Sequence, residues 1–192
     1  MATILLFHHA QGQTPGFLDF ADELRDAGHT VHAPDLYDGH TFRTVEEGVA
    51  FAQQTSFGEI IRRGSAAAEA LPADIVYAGF SLGVMPAQSL AQTRPGARGA
   101  IFFHGCVEPS NFGSTWPEGV PLQIHMMDAD KWIEEDRVAA EALVNEVADA
   151  ALFIYPGSGH LFADSSSEDY DEKAAGLLKE RTLAFLRRVG GP

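Results

Sequence analysis

The sequence predicts an α/β fold in which helices cover both faces of a mainly parallel sheet. Short apolar segments alternate with longer segments of helical spacing along the whole chain. The strand-like segments are apolar at nearly every position, which is typical of strands buried on both faces. The chain has 192 residues, of which 45% are hydrophobic and 21% charged, and neither a repeat nor a linker divides it. We therefore expect a single domain over residues 1–192.

The first half of the chain opens with a β-rich apolar segment at residues 3–8. Residues 15–28 have helical spacing and end in a glycine, which is a common helix stop. A short strand at residues 30–33 ends at a proline and an aspartate. The pattern then predicts helices at residues 44–54 and 59–71, a strand at 74–78 and a helix at 82–92.

The second half continues this alternation. Residues 106–120 are rich in the Pro, Gly, Ser and Asn that are typical of a loop, and the final Gly-Gly-Pro is expected to be a frayed end. In parallel α/β sheets the functional residues follow the carboxyl ends of the strands, so the loops after the strands are the predicted site. The predicted strands are residues 100–104, 122–125 and 152–155, and the predicted helices are residues 133–147 and 173–189.

Composition and charge exclude several classes of partner. The formal net charge of −14 should repel nucleic acids and anionic membrane surfaces. The N-terminal apolar run is too short for a membrane span and lacks the basic flank of a signal peptide. Cys106 is the single cysteine, so an internal disulfide is impossible, which suits a cytoplasmic protein. We expect a small-molecule partner, and the sequence does not predict the oligomeric state.

One motif suggests a nucleophile. The segment GFSLG at residues 79–83 has the pattern G-x-S-x-G and stands between a predicted strand and a predicted helix. A sharp strand-to-helix turn would expose the Ser81 hydroxyl above the sheet, and the flanking glycines leave room for crowded backbone. The alternative is that Ser81 is only a helix N-cap. Pro86 lies early in the following helix and predicts a local kink.

A serine nucleophile needs a base and an acid. His160 lies in a loop of small residues after a predicted strand, and it follows both the serine and an acidic loop in the chain. Asp128 and Asp130 both lie in that acidic loop, and local chemistry does not separate them. Four other histidines lie at strand ends without metal-ligand spacing, so we expect no metal and expect these side chains to line the pocket or pack beneath it: His8, His9, His104 and His125.

The oxyanion formed in such a reaction needs backbone donors. One is expected to be the N–H of Leu82, at the start of the helix after Ser81. The second is expected in the loop after the first strand, HHAQGQ at residues 8–13, whose small residues allow close approach. The candidates are the N–H groups of Ala10 and Gln11, with Gln11 favoured.

Five segments carry a resemblance to a known family: PDLY at 34–37, GFSLG at 79–83, HMMDADKWI at 125–133, YPGSGHLFADSSSEDY at 155–170 and ERTLAFL at 180–186. In these segments the chain resembles the dienelactone hydrolase family of α/β-hydrolases, over nearly its whole length. The resemblance implies an α/β-hydrolase fold with no cap domain and without the usual short N-terminal strands. The acid-loop pattern of the family places the acid on Asp130, which Lys131, Trp132 and Ile133 follow.

The chain departs from that family at positions that bear on the chemistry. Family enzymes of the dienelactone type carry a cysteine nucleophile where this chain has Ser81. Their glutamate, which governs the protonation of the thiol, falls on Ala10 or Gln11 here. One arginine that grips the substrate carboxylate is replaced by Asp164, and the place of another falls near residues 46–47, both glutamates. The resemblance therefore implies serine chemistry, with Asp164 expected to repel a carboxylate substrate.

These observations lead to the hypothesis of a cofactor-free serine hydrolase that acts on a small ester or lactone. Its expected catalytic residues are Ser81, Asp130 and His160. A short domain without a cap predicts an open site for small acyl groups. A thioesterase or acyl transferase on the same triad is one alternative, and a non-catalytic ligand-binding module is another. The candidate substrate-binding residues are Ala10, Phe112, Trp116 and Trp132.

Overall fold

The computed structural model describes residues 1–113 and 115–191. Ser114, in the predicted loop, and Pro192, at the predicted frayed end, lie outside the described residues. The strands are β1 Thr3–Phe7, β2 Thr30–His32, β3 Val76–Phe80, β4 Gly99–Phe103, β5 Leu122–Met127 and β6 Ala150–Tyr155. The α-helices are α1 Pro15–Asp26, α2 Val45–Thr55, α3 Phe57–Glu69, α4 Val84–Thr93, α5 Glu134–Glu146 and α6 Glu172–Val189, and short 3-10 turns occupy Ser81–Gly83 and Pro109–Phe112.

The strands form one sheet in the order β2-β1-β3-β4-β5-β6. Each neighbouring pair is parallel, so the predicted mainly parallel sheet is confirmed. Because parallel strands all run the same way, their carboxyl ends lie along one edge of the sheet. The loops that follow Phe7, Phe80, Met127 and Tyr155 leave the sheet at this edge.

Alternate strand residues belong to two core clusters, one on each face of the sheet. On β1, Leu5 and Phe7 join one cluster, while Ile4 and Leu6 join the other. Residues of α2, α3, α4 and α5 pack into the first cluster, and residues of α1 and α6 pack into the second. Both faces of the sheet are therefore covered by helices, as the uniformly apolar strands predict. No helix in the described part of the chain is long and apolar enough to cross a membrane.

Pro86 is the third residue of α4. The N–H groups of a first helical turn have no acceptor within the helix, so the missing N–H of a proline there interrupts no bond of the helix interior. The position of Pro86 in the first turn therefore gives no reason to expect a kink in α4. The Pro86 ring packs against Gly64 of α3, where an added Cβ would overlap it. This contact brings α3 close to the helix that follows Ser81.

Candidate active site

Ser81 lies on a sharp turn between β3 and α4, with a φ of 48°. This left-handed backbone is unfavourable for a residue with a side chain. Both glycines of the motif are needed sterically: a Cβ on Gly79 would overlap the Gly83 carbonyl, and a Cβ on Gly83 would lie 2.5 Å from the Phe7 oxygen. The motif therefore packs the Ser81 turn tightly against the end of β1.

The structure brings Ser81, His160 and Asp130 together from three different loops. Ser81 Oγ lies 2.7 Å from His160 Nε2, and His160 Nδ1 lies 2.7 Å from Asp130 Oδ2. The Asp130 carboxylate can only accept, so Nδ1 carries the hydrogen and Nε2 is left to accept the serine proton. The second Asp130 oxygen accepts the backbone N–H of Trp132 at 2.9 Å, which fixes the carboxylate.

Asp128, the alternative acid, has a different position. Its side chain is exposed, and its Oδ1 accepts the backbone N–H of Gly157 at 2.9 Å. Asp128 thus stabilises the start of the loop that carries His160, while Asp130 contacts the imidazole itself. The geometry separates the two aspartates that local sequence chemistry leaves equivalent.

Asp169 is a residue of this site that the sequence analysis missed. Its Oδ2 accepts the backbone N–H groups of His160 and Leu161 at 3.0 and 3.3 Å. Two such bonds hold the backbone that presents the imidazole to Ser81. The acidic, serine-rich segment around Asp169 gives no pattern from which this contact could have been found, because the loop must fold back on itself to form it.

The loop after β1 differs from the prediction at Gln11. The Gln11 N–H, the favoured second oxyanion donor, donates instead to Nδ1 of His9 at 3.2 Å. The Gln11 side chain is also engaged, since its Nε2 donates to the Arg43 oxygen at 2.6 Å. The prediction for Gln11 is corrected for this physical reason: its amide already has an acceptor inside its own loop.

Ala10 is the other donor considered in that loop. The carbonyl of the preceding residue, His9, accepts the N–H of Gly12 at 3.0 Å and lies 2.8 Å from Nδ1 of His8. No peptide bond of the described chain is cis, so the Ala10 N–H points away from that carbonyl. The Ala10 amide is thus directed to the opposite side of the loop from these two donors.

Asp164 faces neither solvent nor substrate. It is 1% exposed, and its carboxylate accepts hydrogen bonds from His9, Thr14 and Ser166. Burial opposes the charge, but these hydrogen bonds outweigh it and hold the pKa of Asp164 below its ordinary value. The prediction that Asp164 repels a carboxylate substrate is corrected, because the carboxylate is buried and turned inward onto donors of the protein.

A cavity of about 520 Å³ lies beside the His160 loop. Trp132 forms one wall: the residue is 45% exposed, and its ring centroid is 5.9 Å from that of His160. The other walls are mainly polar. One of their residues, Arg43, carries a guanidinium and was not among the candidates from the sequence. These walls also include Gln11, Thr14, Glu46 and Asp169.

Two aromatic residues predicted to line the pocket lie elsewhere. Trp116 packs edge-on against Phe102 and donates its ring N–H to the Val120 oxygen at 2.8 Å. It borders a separate cavity of about 380 Å³. Phe112 is half-buried on a 3-10 turn that contacts α4. Their predicted place at the site is corrected, because neither residue lines the cavity beside the His160 loop.

The remaining strand-end histidines are buried. Burial lowers the pKa of His104 well below its usual value, and the charge of His160 adds to this effect. Neither ring nitrogen of His104 has a hydrogen-bond partner within residues 1–113 and 115–191. Across those same residues, no three His, Cys, Asp or Glu side chains converge in a way that could hold a metal ion.

A parallel sheet whose strand ends bring a turn serine, a histidine and an aspartate together defines an α/β-hydrolase. The chain belongs to the dienelactone hydrolase family, whose family model matches residues 1–190. Both the fold class and the resemblance inferred from the sequence are thereby confirmed. No curated protein is similar enough to this chain to count as a relative.

Solved structures similar to this chain have the same fold. A dienelactone hydrolase-like promiscuous phosphotriesterase from metagenomic libraries is 18% identical, with a TM-score of 0.82 over 100% of this chain and 87% of that one. A dienelactone hydrolase from Anabaena variabilis is 17% identical, with a TM-score of 0.67 over 98% and 86% of the two chains. The esterase PE8 is 20% identical, with a TM-score of 0.66 over 98% and 92%.

Proposed function

We propose that the protein is a serine hydrolase that cleaves a small ester or lactone through an acyl-enzyme. The observation that carries this proposal is the unbroken series of contacts from Ser81 through His160 to Asp130, with 2.7 Å at each step. A serine hydroxyl becomes a useful nucleophile when a correctly oriented base accepts its proton. The dienelactone hydrolase family of the chain supports a hydrolytic reaction.

The reaction follows from these positions. His160 Nε2 takes the hydroxyl proton as Ser81 Oγ forms a bond to the carbonyl carbon of the substrate. His160 then gives that proton to the departing alkoxide, and the acyl group remains on Ser81. A water molecule, deprotonated by the same nitrogen, attacks the acyl-enzyme and releases the acid. Asp130 stabilises the imidazolium that forms in each half-reaction.

Two backbone amides would hold the oxyanion. The N–H of Leu82 follows the nucleophile at the start of a 3-10 turn, where helical N–H groups are free to donate. For the second donor we take the N–H of Ala10, because the Gln11 amide is bonded to His9 and the Ala10 amide points to the opposite side of the loop. This assignment replaces Gln11 by its immediate neighbour.

The cavity next to the site, whose lining does not itself include Ser81 or His160, favours a small, polar and uncharged substrate. Its walls carry three carboxylates against one guanidinium, so an anionic substrate would meet net repulsion. Trp132, Phe42 and Val45 offer apolar surface, while residues with hydroxyl groups form the largest class in the rest of the lining. A long acyl chain would find little apolar surface to contact along these mainly polar walls. The carboxylates are Glu46, Glu168 and Asp169, and the guanidinium is that of Arg43.

A fluorophosphonate probe tests the proposal directly. We expect the folded protein to be labelled on Ser81, as located by peptide mapping, and the Ser81→Ala variant to remain unlabelled. The absence of an adduct on Ser81 would overturn the serine-hydrolase proposal. A panel of oxygen esters and matching thioesters, varied in acyl length and charge, then identifies the substrate. Higher kcat/KM on thioesters would move the assignment to a thioesterase, and a preference for anionic esters would contradict the charge argument.

A further inference from the structure

A second buried pair of aspartate and histidine lies beside the proposed triad. His9 Nε2 is 2.7 Å from Asp164 Oδ2, and the two side chains are 0% and 1% exposed. Neither residue has a role in the proposed proton transfers. Burying an ion lowers the stability of a fold unless its hydrogen bonds are complete, so the donors around the Asp164 carboxylate determine whether it can remain ionised.

The hydrogen bonds around Asp164 define the protonation of His9. Asp164 Oδ1 accepts the backbone N–H and the hydroxyl of Ser166 at 2.8 and 2.7 Å, and Oδ2 accepts from Thr14 and His9. The start of α1 also lies against the carboxylate, because a Cβ on Gly16 would overlap Oδ1. A helix N-terminus favours an anion. Facing this anion, His9 carries its hydrogen on Nε2, and Nδ1 is an acceptor.

Nδ1 of His9, the acceptor nitrogen, holds the peptide between Ala10 and Gln11. It receives the N–H of Gln11 at 3.2 Å, while the Ala10 carbonyl on the other side of the same peptide lies against Gly48 of α2. The peptide between Ala10 and Gln11 is thus fixed on both sides. Asp164 follows His160 by four residues, so this arrangement connects the histidine loop to the loop after β1.

We propose that Asp164 and His9 are positioning residues that hold the loop after β1 in register with the nucleophile. The inference rests on the proposed function, in which Ala10 of that loop donates to the oxyanion. Asp164 fixes the tautomer of His9, and that tautomer fixes the Gln11 amide beside Ala10. The catalytic groups themselves remain Ser81 and its partners.

Asp164→Asn is the decisive perturbation. The backbone N–H of Ser166 still requires an acceptor, so the amide oxygen of the new side chain faces Ser166 and its NH₂ faces His9. This NH₂ then points at Nε2 of His9 and at the Thr14 hydroxyl beside it, so we expect His9 to accept at Nε2 and to carry its hydrogen on Nδ1, where it opposes the Gln11 N–H. We expect kcat to fall by about 10- to 100-fold with KM little changed, since small displacements of catalytic groups have effects of this size.

Two measurements distinguish this role from simple structural support. Long-range ¹H–¹⁵N spectra of histidine-labelled protein should show His9 as the Nε2–H tautomer in the wild type and as the Nδ1–H tautomer in Asp164→Asn. A double-mutant cycle with His9→Phe should be strongly non-additive in kcat, because Asp164 acts through His9. The matched control is Asp19→Asn, which removes an exposed carboxylate that contacts the same loop through Ser165, and which should leave kcat unchanged.

The outcomes are distinct. A wild-type His9 with its hydrogen on Nδ1, or additive effects on kcat in the cycle, would overturn the positioning role. If Asp164→Asn fails to fold, the wild-type spectrum still decides the tautomer. Failure of the proposed function would appear separately, as an unlabelled Ser81 in a protein whose His9 spectrum is as expected.

Discussion

His125 makes the stability of this protein sensitive to acid. Its ring stacks between those of Phe103 and Phe153, its Nδ1 lies 2.8 Å from the Tyr155 hydroxyl, and its Nε2 lies 2.9 Å from Gln123 Oε1. Burial, with a smaller contribution from the charge of Arg181, lowers the pKa of His125 from 6.5 to about 3. The folded protein therefore holds this histidine neutral.

The difference between the His125 pKa in the folded and in the unfolded state sets the sign and the size of the effect on stability. Because the pKa is lower in the folded state than in the unfolded state, the unfolded chain takes up the proton first as the pH falls. The contribution of His125 to stability is complete above pH 6.5 and is lost between pH 6.5 and about pH 3. Each pH unit in that window lowers the free energy of unfolding by about 1.4 kcal/mol, which amounts to about 2 kcal/mol at pH 5.

Urea unfolding of the wild type and of His125→Gln at pH 8 and pH 5 measures this contribution. Other titrating groups, including the buried His9 and His104, are common to both proteins and cancel in the comparison. We expect the wild type to lose about 2 kcal/mol more than the variant between the two pH values. Equal losses in the two proteins would refute the reasoning, since they would mean that His125 titrates alike in the folded and unfolded chains.

Three further predictions concern the site. Asp130→Asn should lower kcat by about 10³- to 10⁴-fold, because an amide cannot hold the required tautomer of the base, while Asp128→Asn should leave it within a few-fold in the same ester assay. Ser81→Gly should be about 1 kcal/mol more stable to urea than Ser81→Ala, because both lack the hydroxyl and only alanine retains the side-chain strain at φ 48°. Trp132→Ala should raise KM by about tenfold with a small change in kcat, and an unchanged KM would place the substrate away from that ring.

The parts of the fold that were predictable depend on local pattern. The strand before Ser81 and the helix after it could be read from neighbouring residues, and the glycines at 79 and 83 are explained by contacts within the turn and with β1. The order of Ser81, the acidic loop and His160 along the chain was likewise visible, because each follows a recognisable strand. The parallel sheet then places these residues at one edge without further information.

The contacts that were not predictable join residues far apart in the chain. Asp164 meets His9 across 155 positions, and the direction in which its side chain turns decides between a substrate contact and an internal one. The alternative acids were inseparable for a similar reason, since Asp128 and Asp130 differ in whether they face Gly157 or His160. Sequence patterns specify which loop a residue occupies, whereas these distinctions depend on how two loops pack together.

The two buried aspartate–histidine pairs show why composition alone does not identify a catalytic base. Both pairs have the same 2.7 Å separation between nitrogen and oxygen. In the pair of His9, both ring nitrogens are engaged, one by Asp164 and one by the Gln11 amide, so no nitrogen is left for a reacting proton. In the pair of His160, the aspartate engages one nitrogen and the other faces Ser81. The same chemical unit therefore joins two loops in one place and, in the proposed reaction, supplies the base in the other, according to what its second nitrogen meets.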